Sequence, residues 1–291
     1  MLQGIFAAGE GAIAGFYLIS SNKDKRSFFS SAYGLSTLLG ILLASKVAHL
    51  ISLSQKPELY WRLGFLLGFV TSLSAVYIRQ IRYQFNTEVK VKPLYIMSFC
   101  LANKAIIGRI MLLCGFSYLS YPLAFTMPNS LWPAISDIQI STALEIYTLL
   151  VIFDGMVTVL AGYLLKFVKV EKFIPICAVI LIFFEILLLA LIKNASFGQI
   201  NCLRVCVIAF GVAFSLALKI WIANITDDYG NEKYLLNSIG GSIGMELLGR
   251  SFLPCSLYIF HHFSNFNLCI FYVGLLGLSA IYAITVHKQQ K

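Results

Sequence analysis

Apolar residues occur along this chain in long stretches, each close to the length of a membrane-spanning helix. A helix needs about 20 apolar residues to cross the hydrocarbon core of a bilayer. The period-two alternation typical of strands is absent, so the pattern indicates helices. The stretches lie at residues 1–20, 28–53, 61–79, 105–127, 142–165, 173–192, 203–224, 235–260 and 268–286. They predict an all-α, polytopic membrane bundle of about nine transmembrane helices, in which every helix satisfies its own backbone hydrogen bonds.

The composition supports the same class. Of the 291 residues, 59% are hydrophobic and 12% are charged, and the mean hydropathy is +0.82. A soluble domain carries about 25% charged residues. We therefore expect an integral membrane protein whose solvent is the lipid bilayer.

Lysine and arginine residues are distributed unevenly among the predicted loops. If the turn Lys23–Arg26 lies in the cytoplasm, 13 basic residues fall in cytoplasmic loops and four fall outside. The four outside are Lys56, Arg62, Lys193 and Arg204. Cytoplasmic loops are enriched in Lys and Arg, so the N-terminus is expected outside and the C-terminus in the cytoplasm. This topology explains the net charge of +9 without a nucleic-acid partner.

Candidate chemistry is limited to charged side chains within the apolar stretches. The seven cysteines are interpreted as packed, reduced thiols. No metal-ligand spacing, phosphate-binding glycine loop or nucleophile elbow is recognisable, so neither an enzyme nor a cofactor or metal is predicted. The charged residues within stretches are Glu10, Lys46, Arg109, Asp154, Glu185, Lys219, Glu246 and Arg250.

Two of these acidic residues have clear local settings. Glu10 lies in the middle of the first stretch, where an acidic side chain costs about 2.5–3.5 kcal/mol on insertion scales. It is interpreted either as a proton- or substrate-coupling residue or as a structural polar contact. Glu246 and Arg250 are four residues apart on one predicted helix, so they are expected to pair with each other.

The remaining charges have open assignments. Asp154 lies in the middle of its stretch, and Arg109 or Lys46 is its expected partner across helices. Alternatively, the side chains of Arg109 and Glu185 extend toward a membrane interface. Intramembrane charges normally pair or line a pathway, and the sequence alone does not choose between these roles.

The first part of the chain contains, in order, Gln3-Gly4, Gly9-Glu10, the basic turn Lys23–Arg26 and a Gly/Ser-rich stretch. This order resembles the fourth and fifth helices of major facilitator superfamily transporters. The likeness is to the proline/betaine, metabolite:proton symporter branch, and it covers Gln3–Ser45. In that branch a Gln-Gly pair is followed by Gly-Glu, a short basic turn and a Gly/Ser-rich helix. Gln3-Gly4, Gly9-Glu10 and Lys23–Arg26 match these features in order.

Further matches follow along the chain. Tyr60–Gln80 resembles the sixth helix, which typically opens with Trp-Arg and closes with Tyr-x-Arg. "FTMPNSL" at Phe125–Leu131 resembles the Met-Pro end of the seventh helix. The stretches after residue 104 then match a complete C-terminal half.

The resemblance implies an N-terminally truncated major facilitator fold that lacks the first three helices. Residues 1–80 would form an incomplete N-terminal bundle of three helices, 81–104 a cytoplasmic linker and interfacial lead-in, and 105–291 a C-terminal six-helix bundle. The implied function is secondary transport of a small zwitterionic or organic-ion solute, coupled to protons, in a bacterial inner membrane. The candidates for the substrate and proton pathway are Glu10, Arg109, Asp154, Lys219, Glu246 and Arg250.

Two other functions stay open. A chain without the first three helices would be a non-transporting remnant, unless a complementary N-terminal fragment or a homodimer restored the cavity. An unrelated integral-membrane enzyme is the third hypothesis, and it would require a His/Asp or metal constellation that the sequence does not display.

Overall fold

The computed structural model describes residues 14–52, 60, 62, 64–66, 68–70, 73, 93–128, 140–263 and 265–289. Every regular element among them is helical. The helices are α1 (residues 14–21), α2 (Arg26–Ser52), α3 (Pro93–Ala102), α4 (Lys104–Tyr121), α5 (Ile140–Leu164), α6 (Val170–Leu191), α7 (Phe197–Ile225), α8 (Lys233–Ile243), α9 (Phe252–Phe263) and α10 (Asn267–Gln289). A 3-10 turn, Asp227–Glu232, joins α7 to α8, and π segments follow α4 at Pro122–Thr126 and α8 at Gly244–Arg250.

Among the described residues, six helices are long and apolar enough to cross a membrane. They are Lys23–Val47, Lys104–Thr126, Glu145–Leu164, Val170–Leu191, Phe197–Ile225 and Asn267–Val286. Each corresponds to one stretch predicted from the sequence, so the all-α membrane class is confirmed for these six. The stretches 1–20 and 61–79 lie largely outside the described residues, and the total of nine stays a prediction.

The stretch 235–260, expected as one continuous span, is interrupted in the structure. The α-helical hydrogen bonds of α8 give way to the π segment Gly244–Arg250, and Ser251 N donates to Glu246 O at 3.3 Å, five residues back. Pro254 follows in α9 and has no N–H to donate to the Arg250 carbonyl. A widened turn at this position is the physical consequence, because the freed carbonyls need other arrangements.

Helix α7 begins earlier than the sequence reading placed it. The stretch was delimited at 203–224, but the helix starts at Phe197 behind a capping box formed by Ser196 and Gln199. The Ser196 hydroxyl accepts from Gln199 N at 3.4 Å, and Gln199 Oε1 accepts from Ser196 N at 2.9 Å. Arg204 was assigned to an outer loop; that assignment is wrong, since Arg204 is a fully buried residue within α7.

The chain divides into two compact units. One unit comprises Met1–Leu35 and Asn103–Lys291, and the other comprises Ser36–Ala102, so the boundary falls within α2. In the first unit α4 is the central helix, packing against α7, α10, α8 and the π segment Gly244–Arg250. Helix α6 packs on α7 and α10, and α5 packs on α7.

Small residues permit the closest of these approaches. A Cβ at Gly244 would overlap the Met111 carbonyl of α4, and one at Gly240 would lie 3.0 Å from the Ile107 carbonyl oxygen. The Gly240-x-x-x-Gly244 spacing therefore brings α8 and its π segment onto the α4 backbone, as small residues do between membrane helices. Edge-to-face packing of Phe116 and Phe214, with ring centroids 5.4 Å apart, fills the contact of α4 with α7.

Candidate functional site

The first half of α2 meets α5 and α7 through individual side-chain contacts. A Cβ built at Gly34 lies 3.2 Å from Thr158 Cγ2 of α5. Ser30 Oγ donates to the Leu216 carbonyl of α7 at 3.4 Å. Ser31 occupies the space where Gly162 of α5 would carry a side chain. Three apolar helices thus share a junction that contains hydroxyl groups.

A polar cluster, consisting of Tyr33, Asp154, Thr158 and Lys219, lies at this junction. Asp154 is 7% exposed, and Thr158 Oγ1 donates to its Oδ1 at 3.3 Å. Lys219 Nζ lies 5.5 Å from the centroid of the Tyr33 ring, in cation–π range. Lys219 and Asp154 are also close enough to interact electrostatically. Opposite charges are therefore brought together inside the bundle.

Tyrosines extend this cluster onto α4. The hydroxyl oxygens of Tyr121 and Tyr147 lie 3.4 Å apart, and Tyr121 also lies near Tyr118 and Asp154. Cys114, one turn before Tyr118 on α4, is within electrostatic range of Lys219. Helices α4, α5, α7 and α2 consequently contribute polar groups to one region of the first unit.

The predicted pairing of Glu246 with Arg250 is confirmed. Arg250 Nη1 lies 2.8 Å from Glu246 Oε1 within the π segment Gly244–Arg250, and their side chains are 55% and 43% exposed. Arg250 Nη2 also donates to the Tyr118 hydroxyl oxygen at 2.9 Å. The pair is thus fixed to α4 but open on its other side. π segments are frequent at functional sites.

An ion-pair network at one end of the bundle joins the start of α2 to the turn after α7. We call it the Asp227 network; it consists of Lys23, Arg26, Asn224 and Asp227. Arg26 Nη2 donates to both Asp227 carboxylate oxygens, each at 2.7 Å, and Arg26 Nη1 donates to Asn224 Oδ1. Lys23 Nζ lies 3.3 Å from Asp227 Oδ2.

The environment of Asp227 favours its charged form. Burial alone would raise the pKa of Asp227, but the hydrogen bonds and positive charges of Arg26 and Lys23 outweigh this effect. The pKa of Asp227 is accordingly held below its usual range. A cavity of about 740 Å³ adjoins this network, and its lining includes Lys25, Lys166 and Ile220. The turn after α5 therefore lies at the same end of the bundle as the Asp227 network.

The structure brings together some of the sequence-predicted site residues and separates others. Asp154 lies within electrostatic range of Lys219, whereas Arg109 or Lys46 was the expected partner. Arg109 is half-buried near the start of α4. Glu10 lies outside the described residues, so its role stays a prediction. The alternative in which Glu185 extends toward a membrane interface is wrong, because its side chain is fully buried within α6.

Sequence reasoning missed the Asp227 network and the burial of Arg204. The capping-box pattern Ser196-x-x-Gln199 was a readable signal that α7 starts before Arg204. No local signal links Arg26 to Asp227, because 201 residues separate them.

No group of three or more His, Cys, Asp or Glu side chains is arranged to hold a metal ion among the residues that the structure describes. No protein-family model and no curated protein matches the chain.

Proposed function

We propose that this protein is a secondary transporter of small zwitterionic or organic-ion solutes, of the major facilitator type and similar to proline/betaine:proton symporters. We further propose a bacterial plasma-membrane location, with the Asp227 network facing the cytoplasm. The observation that carries the proposal is the polar cluster, in which Asp154 and Lys219 lie between three apolar helices. Intramembrane charges are costly, and they mark substrate and ion pathways in bundles of this kind.

The two charges of the cluster suit a solute that carries both signs. The Asp154 carboxylate would attract a cationic group, and Lys219 a carboxylate, while the tyrosine hydroxyls of α4 and α5 supply hydrogen bonds. In the absence of solute, Asp154 interacts electrostatically with Lys219 and accepts a hydrogen bond from Thr158. Solute binding would then exchange an internal charge interaction for two interactions with the solute.

The Asp227 network supplies a device for alternating access. It joins α2 to the end of α7 on one side of the polar cluster, and α2 also meets α5 and α7 through Ser30, Ser31 and Gly34. The ion pair of Arg26 with Asp227 permits two arrangements: this end is closed when the pair is formed and open when the pair is broken. Rocking of helices around a fixed site near the membrane centre is the general mechanism of such carriers.

Asp154 is the proposed proton-coupling group among the described residues. A proton on Asp154 would remove the negative charge that faces Lys219. Proton binding and solute binding would therefore influence each other at the same cluster. Glu10 stays a second candidate because of its position in the sequence.

Uptake by proteoliposomes tests this function. Purified protein should accumulate radiolabelled proline or betaine when an inward proton gradient is imposed, and Asp154→Asn should abolish accumulation. Asp24→Asn, which neutralises an exposed aspartate in the turn before α2, is the matched control and should keep it. If folded wild-type protein accumulates neither solute, the result would favour the hypothesis that the chain is a non-transporting remnant.

A further inference from the structure

Glu185 is a buried carboxyl group that the proposed transport pathway does not use. Its side chain has 0% exposure within α6, and no described group donates a hydrogen bond to either carboxyl oxygen. An isolated carboxylate in apolar surroundings is strongly disfavoured, and such groups are paired or neutral. The burial of Glu185 therefore requires an explanation.

The neighbours of Glu185 come from α7 and α10. Leu181 Cδ1 lies 3.9 Å from a Cβ built at Gly211, and the Phe184 and Phe210 rings stack with centroids 5.9 Å apart. These pairs set an antiparallel register that places Glu185 at the level of the buried Ile208. On the other side, Ile186 Cδ1 lies 3.8 Å from a Cβ built at Gly274 of α10. The immediate surroundings are apolar.

The titratable groups nearest to this level on the two packed helices are few. Helix α7 carries Arg204 and Cys206, and α10 carries Cys269 and Tyr272, whose hydroxyl donates to the Leu248 carbonyl at 2.8 Å. Arg204 is the one cation among these four. It lies four residues, one helical turn, before Ile208 and is itself 0% exposed.

Arg204 is occupied elsewhere in this arrangement. Its Nε donates to the Ala124 carbonyl at 2.6 Å, and its Nη1 donates to Asn201 Oδ1 at 3.1 Å. Ala124 belongs to the π segment Pro122–Thr126 of α4. One turn of helix rises about 5.4 Å, which an arginine side chain can span. Arg204 therefore lies about one helical turn along α7 from the level of Glu185, and no hydrogen bond joins the two side chains.

We propose that Glu185 is a proton-binding site separate from the polar cluster, and that Arg204 is the counter-charge that the carboxylate takes up when the proton leaves. With the proton bound, the carboxyl group is neutral and Arg204 holds the Ala124 carbonyl. When the proton leaves, the carboxylate draws Arg204 toward α6, and the π segment of α4 loses a hydrogen bond. Proton release at α6 is in this way linked to the conformation of α4.

Infrared spectroscopy of the protein in lipid tests the first half of this proposal. At neutral pH, the wild type should show a C=O stretching band of a protonated carboxyl that Glu185→Gln lacks. Glu171→Gln removes an exposed glutamate of the same helix and should leave that band in place. Identical wild-type and Glu185→Gln spectra in this region would show that Glu185 is ionised and would overturn the proposal.

The pH at which the band disappears tests the role of Arg204. Arg204→Gln should move this midpoint to higher pH, because the carboxylate loses its counter-charge, and Arg204→Lys should stay near the wild type. Asn201→Ala removes one acceptor of Arg204 Nη1 and should move the midpoint to lower pH, so this variant provides the test if Arg204→Gln does not fold. Unchanged midpoints in the folded variants would contradict the coupling. The spectra do not depend on solute uptake, so the proposed transport function can fail while this proposal stands.

Discussion

At the scale of single residues, the charge of Asp227 is stabilised by a partner that lies far away in sequence. Asp227 accepts hydrogen bonds from Arg26 and lies beside Lys23, while its neighbour Asp228 is exposed. Identical side chains one position apart therefore have different energetic roles. A hydrogen bond to a charged group contributes about 1.5–3 kcal/mol, more than an exposed surface charge does.

Asp227 should make stability depend on pH. Since its folded-state pKa is lowered, its stabilisation is complete above the ordinary aspartate pKa of about 4 and is lost as the pH falls through the folded-state value. We expect Asp227→Asn to be less stable than the wild type at neutral pH, by about 1–3 kcal/mol. The difference should narrow on acidification, measured by thermal unfolding in detergent.

Asp228→Asn provides the control for this experiment. It removes the same charge from an exposed side chain, so its stability should stay within about 0.5 kcal/mol of the wild type. Superimposable pH–stability curves for the wild type and Asp227→Asn would rule out the stabilising role of the Asp227 network.

Asp154 and Lys219 should be energetically coupled. Neutralising either one leaves the other as an uncompensated charge inside the bundle. The losses of stability in the two single variants should therefore add up to more than the loss in the double variant. A double-mutant cycle with Asp154→Asn and Lys219→Gln should give a coupling energy of about 0.5–3 kcal/mol. The same cycle with Lys166→Gln, which alters an exposed lysine after α5, should be additive. Additivity in both cycles would mean that Asp154 and Lys219 do not interact.

At the scale of elements, glycine positions decide how closely helices approach. Gly244 lies against the α4 backbone, where a Cβ would overlap the Met111 carbonyl, whereas no atom lies within 4 Å of a Cβ built at Gly108. Gly244→Ala should destabilise the fold by about 1–3 kcal/mol, because overpacking forces the two helices apart. Gly108→Ala should be neutral or stabilising by up to about 1 kcal/mol, because alanine favours helix. Equal unfolding temperatures for the two variants would contradict this packing.

The elements were largely predictable, because a membrane-spanning helix has a length and composition that can be read directly. Six stretches correspond to helices that can span a membrane, and the start of α7 was readable from Ser196 and Gln199. The π segment Gly244–Arg250 was not predictable from the sequence, because it depends on how Gly244 and Gly249 fit against α4 as well as on Pro254. The sequence predicted that charged side chains within the spans form the candidate site, but it did not predict which of these side chains lie close to each other. Glu246 with Arg250 follows from helix periodicity, while Asp154 with Lys219 depends on tertiary packing.

At the scale of the whole molecule, the turn before α2 and the turns after α5 and α7 belong to one end of the first unit. The turn after α6 must lie at the opposite end of the bundle, because α6 starts next to the turn after α5. With the exposed Cys202 and Cys255 replaced by serine, Lys166→Cys should react with an impermeant maleimide only from the cytoplasm. Asn194→Cys should react only from outside. The reverse result would invert the proposed orientation, which rests on the enrichment of basic residues in cytoplasmic loops.

Solute counterflow is the most direct test of a carrier with one site open alternately to each side. Liposomes containing wild-type protein, preloaded with unlabelled proline or betaine and diluted into trace labelled solute, should accumulate label transiently without any imposed gradient. Asp24→Asn should show the same overshoot, and Asp154→Asn should show none. If folded wild-type protein gives no overshoot with either solute, or if Asp154→Asn gives the same overshoot as the wild type, the polar cluster is not the transport site of such a carrier.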